Sequence, residues 1–453
     1  MKLLVKNGLF LNPVNQVQQY FDVLINGSRI KKIEKEIFDK DALIIDAKGK
    51  IVVPGLVDVH VHFREPGQEY KETIASGSHA AAAGGFTTVV AEANTSPAID
   101  TPARVRNVLD IARKNSIVNF YTKAATTQEM HGTELIDIEG VKIAGAVAIS
   151  DDGNPVPSEE LMRNALIKAK SCDMLLNPHC EESVFYQEMW KRENNRMDFE
   201  FPDKMPYSSE PGILFSSETG FIKRDIKLAE EIGARLHISH VSLASSVKVI
   251  ADAKRRGVAV TAEATPHHFL LTEEDAKKIG PNAKVNPPLR TRKDIKAIIS
   301  GLADGTIDII ATDHAPHSPQ EKSVPWEDAP FGIIGLETAL GLVLTFLVQP
   351  GHLTLVQAID KMSTTPAKIF GLETGGFKPG AQADLTVIDP NKKWKVDAKD
   401  FYSKGRNCPF DGWELQGRPV MTIVRGQIVM QEGKIIEDPK FYSEFAKDLS
   451  FSS

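Results

Sequence analysis

Two textures of hydrophobic and polar positions divide the chain. Towards each end, short β-type runs are broken by turn dipeptides: KLLVKNGLFL with Asn7-Gly8 and FDVLINGSRIKKI with Asn26-Gly27 at the start, ADLTVIDP and GRPVMTIVRGQIVMQEGKII with Arg425-Gly426 and Glu432-Gly433 near the other end. Such runs predict hairpins. Their shared character predicts that residues 1–53 and 371–453 build one small β-sandwich domain, with a tail at the C-terminus. From 54 to 370 short apolar runs alternate instead with helical stretches such as PSEELMRNALIKAKS, where Ser158 can cap and Leu161, Ala165, Leu166 and Ala169 keep an apolar stripe. Eight candidate strands, 56–59, 87–91, 118–123, 145–149, 174–177, 236–239, 258–261 and 307–311, separate those helices. Strand–helix alternation requires a parallel sheet, and eight such units predict an α/β fold closed as a TIM (β/α)8 barrel.

Bulk properties narrow the partners. The 453 residues carry a formal charge of −6, which gives no long-range attraction for phosphate backbones or anionic membranes. An acidic substrate must therefore be held by locally placed cations. Three cysteines, Cys172, Cys180 and Cys408, show no CxxC spacing, so neither a disulfide framework nor a thiolate zinc site is expected and a reducing compartment fits best. The opening MKLLVK has too short an apolar run for a signal peptide, and the stretch around 340–348 falls well short of the ~20 residues that span a bilayer. The expected location is the cytoplasm.

Chemistry concentrates at the ends of the candidate strands. In DVHVHFREP, His60 and His62 are two apart and point to one side of an extended chain, which makes half a metal site. Asp151 and Asp152 follow the fourth strand, His179 the fifth, His240 the sixth and Asp313 the eighth. A barrel gathers all its strand C-termini on one face, so these residues are expected to converge. Imidazoles and carboxylates suit zinc or a similar borderline ion, and a pair of such ions can lower the pKa of water and polarise an amide carbonyl. Adjacent residues at a strand end point oppositely, so one of Asp151 and Asp152 can join such a pair. His237, three before His240, is expected to be a buried, satisfied histidine; His267-His268 reads as packing or loop hydrogen bonding, not ligation, His79 and His131 as surface, and His314 as support for Asp313.

HVHFREPG, NTSP at Asn94–Pro97, SDDG at Ser150–Gly153, NPHCEE, HISHVS, TPHH, NPPLR, IATDHAPH and APFGIIGLET together resemble the long-chain bacterial dihydroorotases of the amidohydrolase superfamily, over about residues 3 to 435. The resemblance implies a zinc-dependent enzyme that interconverts (S)-dihydroorotate and N-carbamoyl-L-aspartate in pyrimidine synthesis, with two Zn2+ per subunit. It makes His60, His62 and Asp313 ligands of one ion, His179 and His240 ligands of the other, and Asp152 the bridge, where many superfamily relatives use a carbamylated lysine. Asp313 also resembles the group that moves a proton from the attacking hydroxide to the leaving nitrogen. Arg64, Asn94 and His317 correspond to residues holding the substrate carboxylate, and Asn286 with the backbone at Phe331 and Gly332 to ring contacts. One departure is visible: Ala91-Glu92-Ala93 precedes Asn94 where the family pattern has a Met-Pro lead-in. The expected partner is the small-molecule substrate, with no nucleic acid and no membrane; the resemblance leaves room for a homodimer and for association with aspartate transcarbamoylase. Rival readings are a hydantoinase, dihydropyrimidinase or allantoinase, and an inactive dihydroorotase-like subunit that has lost its ligands.

Overall fold

The computed structural model describes residues 2–181, 217–374 and 376–436. The part of the expected β-domain and tail that falls on 437–453 lies outside these residues.

Eight parallel strands occupy the middle of the chain: Leu56–Val61, Phe86–Ala91, Asn119–Thr122, Ala148–Ile149, Leu175–Leu176, Leu236–Ile238, Val260–Ala264 and Ile309–Ile310. The ladder breaks into runs of three and five strands, and two parallel bridges join them: Ala124 to Ile149 after the third strand, and Val61 to His314 between the first and the eighth. Bonds such as Ser150 N–H to Ala124 O (2.8 Å) and His62 N–H to His314 O (2.8 Å) complete the ring. This is a barrel, and its strands are buried on both faces because helices cover the outside.

Helices form where capping and periodicity agree. Ser158 accepts from Leu161 N–H (3.2 Å) and starts the helix Glu159–Ser171, which buries Met162, Ala165, Leu166 and Ala169 with Leu161 half-buried beside them. The seventh strand begins two residues later than the sequence pattern predicts, because Gly257 (φ +84°) and Val258 finish the turn of the preceding helix, with Val258 N–H bonding Ala253 O at 3.1 Å. It also runs on to Ala264, which carries Glu263 into the strand.

Flanking the barrel, a four-stranded sheet (Arg29–Glu34, Asp22–Asn26, Lys2–Lys6, Leu43–Asp46) faces a seven-stranded one in which Ile51–Pro54, Leu9–Asn12 and Val17–Tyr20 continue the C-terminal strands Leu385–Lys395, Glu414–Val424, Gln427–Gln431 and Lys434–Ile435. Leu3, Val23, Ile25 and Ile45 from one sheet pack on Phe10, Val52, Leu385 and Ile423 from the other. Arg425 and Gly426 both have positive φ, as do Glu432 and Gly433, the geometry that tight hairpin turns require. Among the described residues no helix is long and apolar enough to cross a membrane.

Candidate metal centre

At the C-terminal face of the barrel the structure brings His60, His62, Asp152, His179, His240 and Asp313 into one buried cluster. Asp152 lies in its middle: one carboxylate oxygen is 3.4 Å from His60 Nε2, 3.4 Å from His179 Nδ1 and 3.3 Å from His240 Nε2, and the other is 3.5 Å from His62 Nε2. Asp313 Oδ1 is 2.9 Å from His62 Nε2 and 3.6 Å from His60 Nε2. Two groups, His60–His62–Asp313 and His60–Asp152–His240, each have their ligand atoms within 4.8 Å of one another. The backbone is unusual at two of these positions. His240 (φ +28°) and Asp313 (φ +50°) occupy the left-handed region, costly for residues with a Cβ and concentrated at functional sites.

Asp151 and Asp152 part company here. Asp151 turns away and accepts from Thr126 N–H (2.7 Å), Thr127 N–H (3.1 Å) and the Thr127 hydroxyl, so it ties down the loop after the third strand.

Carboxylates and imidazoles in the cluster shift one another's protonation. Burial disfavours a charged Asp152, yet His60, His179 and His240 hold its pKa well below the usual carboxylate range; Asp313 is lowered likewise, against burial, by His62, His60 and His240. Burial also works against a charged His60 ring, and Glu92, Glu263 and Asp152 outweigh it, raising its pKa well above the imidazole norm. His60 Nε2 and His240 Nδ1 are buried with no hydrogen-bond partner among the described residues. An orphaned imidazole nitrogen ringed by carboxylate oxygens fits a divalent ion, and nitrogen and oxygen donors are the set that zinc takes.

Around the cluster the other expected residues divide. Arg64 is buried, its Nε donating to Pro316 O (3.3 Å) and its Nη2 lying 3.4 Å from His317 Nε2; it has no ion-pair partner among the described residues. His317 Nε2 also meets Phe331 O at 2.8 Å, and burial, with Arg64, Lys71 and Lys322 nearby, pushes its pKa down to about 3, so the ring is neutral. Asn94 is drawn to the histidines, its Oδ1 2.9 Å from His62 Nδ1. Asn286 Nδ2 meets His179 Nε2 at 3.1 Å. Gly332 has φ +133°, and a Cβ there would lie 2.7 Å from Ala315 O, so the bend beside Phe331 requires glycine.

Of the histidines set aside, His237 is buried between Thr261 Oγ1 (2.7 Å) and Glu263 Oε2 (3.1 Å). His267 and His268 bond Thr265 Oγ1 at 2.9 and 2.8 Å, and His268 Nε2–H donates to Pro287 O (2.9 Å). His314 meets Glu72 Oε2 at 3.3 Å. His131 is exposed and His79 half-buried. Three buried groups beside the cluster escaped the sequence reading. Glu263 Oε1 is 2.5 Å from His60 Nδ1. Glu92 Oε1 is 3.5 Å from His60 Nε2 and is bonded by the fully buried Lys123 ammonium, which also reaches Asn177. Glu92 was visible as the departure from the family lead-in, and Glu263 as a lone charge in an otherwise uncharged run.

The amidohydrolase family model matches residues 51–429. The dihydroorotase of Pelotomaculum thermopropionicum is 47% identical over 432 residues, covering 95% of this chain and 99% of that one; the dihydroorotase of Syntrophus aciditrophicus is 45% identical over 437 residues, covering 95% and 100%. Among solved structures, the L-hydantoinase of Arthrobacter aurescens superposes with a TM-score of 0.84 at 29% identity, covering 96% of this chain and 97% of that one.

Proposed function

The chain belongs to the amidohydrolase family and to its dihydroorotases, and from that premise we propose that the strand-end cluster is a binuclear zinc centre at which a ring amide is opened and closed. The reaction is the reversible hydrolysis of (S)-dihydroorotate to N-carbamoyl-L-aspartate, a step of pyrimidine synthesis. His60, His62 and Asp313 would hold one ion, His179 and His240 the other, with Asp152 touching both. When bound, such ions acidify water and polarise a carbonyl, as cleavage of an unreactive amide needs. Asp313 would take a proton from the attacking water and deliver it to the departing ring nitrogen; in ring closure it would work in reverse.

The single observation that carries the choice of substrate is Arg64. A buried guanidinium with no ion-pair partner among the described residues, beside a neutral His317, awaits an anion, and a planar fork suits a carboxylate. Dihydroorotate has that carboxylate and simple hydantoins do not. Asn94 would add an amide to the same end, while Asn286 and the backbone of Phe331 and Gly332 would face the ring. The same reading takes residues 1–53 with 371–453 as a β-domain beside a catalytic unit of 54–370, and puts the enzyme in the cytoplasm, given three scattered cysteines without disulfide spacing.

The test is a parallel assay of dihydroorotate and an unsubstituted hydantoin on metal-quantified protein, repeated with Arg64→Met. Losing a charge-assisted contact to a desolvated carboxylate costs about 2–5 kcal/mol, so kcat/KM for dihydroorotate should fall at least ~10-fold while the neutral ureide is little affected. Equal losses on both substrates would remove Arg64 from recognition.

A further inference from the structure

The seventh barrel strand contributes no residue to the cluster of expected ligands, yet it carries Glu263, a fully buried carboxylate that the reaction as described does not use. An unpaired charge in the interior is expensive, so its contacts indicate what it is kept for. Its Oε1 lies 2.5 Å from His60 Nδ1 and accepts from the backbone N–H of His240 at 3.3 Å. Its Oε2 meets His237 Nε2 at 3.1 Å, and His237 is held from its other side by Thr261 Oγ1. Both oxygens are thus engaged, and the carboxylate cannot rotate.

We propose that Glu263 is the positioning residue of the metal centre: it fixes His60 as the Nδ1–H tautomer, leaving the Nε2 lone pair for the ion, and pins the backbone that carries His240. The inference rests on reading the cluster as a metal centre. A carboxylate only accepts, so the ring nitrogen facing it must carry the proton. An ion would take the ring in its neutral form, whose other nitrogen is then the donor of the lone pair; His60 Nε2 is the atom left without a hydrogen-bond partner among the described residues, with Asp152 Oδ1 at 3.4 Å, Glu92 Oε1 at 3.5 Å and Asp313 Oδ1 at 3.6 Å around it. A carboxylate behind a ligating imidazole also makes it a stronger ligand. The bond to His240 N–H acts on the other half of the cluster, where the chain holds a φ of +28° that extended neighbours would not impose. One side chain therefore sets a ring on the first strand and a backbone on the sixth.

The experiment is a zinc titration of wild-type protein and of Glu263→Gln, each first stripped of metal, with thermal unfolding of the stripped forms alongside. Glutamine keeps the volume and can accept from His60, but it presents an amide N–H to His237 and brings no charge. Zinc affinity should fall ~10–100-fold at both sites, the range for losing such a partner, while the stripped protein melts as the wild type does. A histidine 15N spectrum of zinc-loaded wild type supplies a readout independent of how the variant folds, and His60 should show a protonated Nδ1. Unchanged affinity in the variant, or a His60 protonated on Nε2, overturns the proposal. If wild-type protein takes up no zinc at all, the metal-centre reading has failed and the inference falls with it.

Discussion

Adjacent aspartates after the fourth strand have opposite fates, which makes them a sharp test of the site. Asp152 is surrounded by four imidazoles and Asp151 by amides and a hydroxyl of the neighbouring loop. Asp152→Ala should abolish binding of a two-ion complement, whereas Asp151→Ala should leave at least one well-formed site and act through stability, losing the ~1–3 kcal/mol typical of stranded buried donors. Metal analysis of the two purified variants checks this, and the reverse pattern would reassign the bridge. Asp313→Asn separates ligand from proton carrier: an amide retains the shape and an oxygen for the ion but cannot shuttle a proton. Turnover in both directions should drop by roughly 10²–10⁴ with substrate binding retained. Near-normal kcat with metal content intact would give the proton to another group.

The loops after the strands work as elements because buried polar groups lock them together. After the seventh strand, His268 accepts at Nδ1 from Thr265 and donates from Nε2 to Pro287 O, fastening the loop that carries Asn286. Burial lowers the His268 pKa to about 4, below the ordinary value of 6.5. The unfolded chain therefore binds more protons between those two values, and the stability this ring contributes is present above pH 6.5 and lost as pH falls through about 4. His268→Gln keeps an acceptor and a donor but does not titrate. Denaturant unfolding at pH 7 and pH 4.5 should show wild type losing up to about 3 kcal/mol more than the variant. A difference independent of pH would mean that the His268 ring titrates alike in the folded and unfolded chain.

At the scale of the whole molecule, the barrel and the flanking seven-stranded sheet share a buried cluster. Leu11, Val53, Val424 and Met430 belong to the same buried cluster as the barrel's Leu56, Phe86 and Leu340, and Thr422 Oγ1 donates to Ala82 O at 2.8 Å. Met430→Ala should cost about 2–5 kcal/mol and shift one cooperative transition without splitting it, with circular dichroism and tryptophan fluorescence coinciding. Two separated transitions would show that the sheets unfold on their own. Much of this architecture was legible in the sequence. Eight apolar runs between capped helices dictate a ring, and chain adjacency alone puts His62, Asp152, His179, His240 and Asp313 after strand ends that must share a face. The hairpin turns announced themselves through Arg425-Gly426 and Glu432-Gly433, since few residues tolerate positive φ. What tertiary structure decided is which way groups turn once regular pairing ends. Period-two alternation stops at the last ladder bond, so the choice between Asp151 and Asp152 depends on which neighbouring loop supplies amides. The carboxylate behind His60 comes from a residue 203 positions away, on a strand whose own pattern says nothing about the first. Local periodicity encodes the face a side chain takes on its own strand; the partner it meets there is set only when the barrel closes.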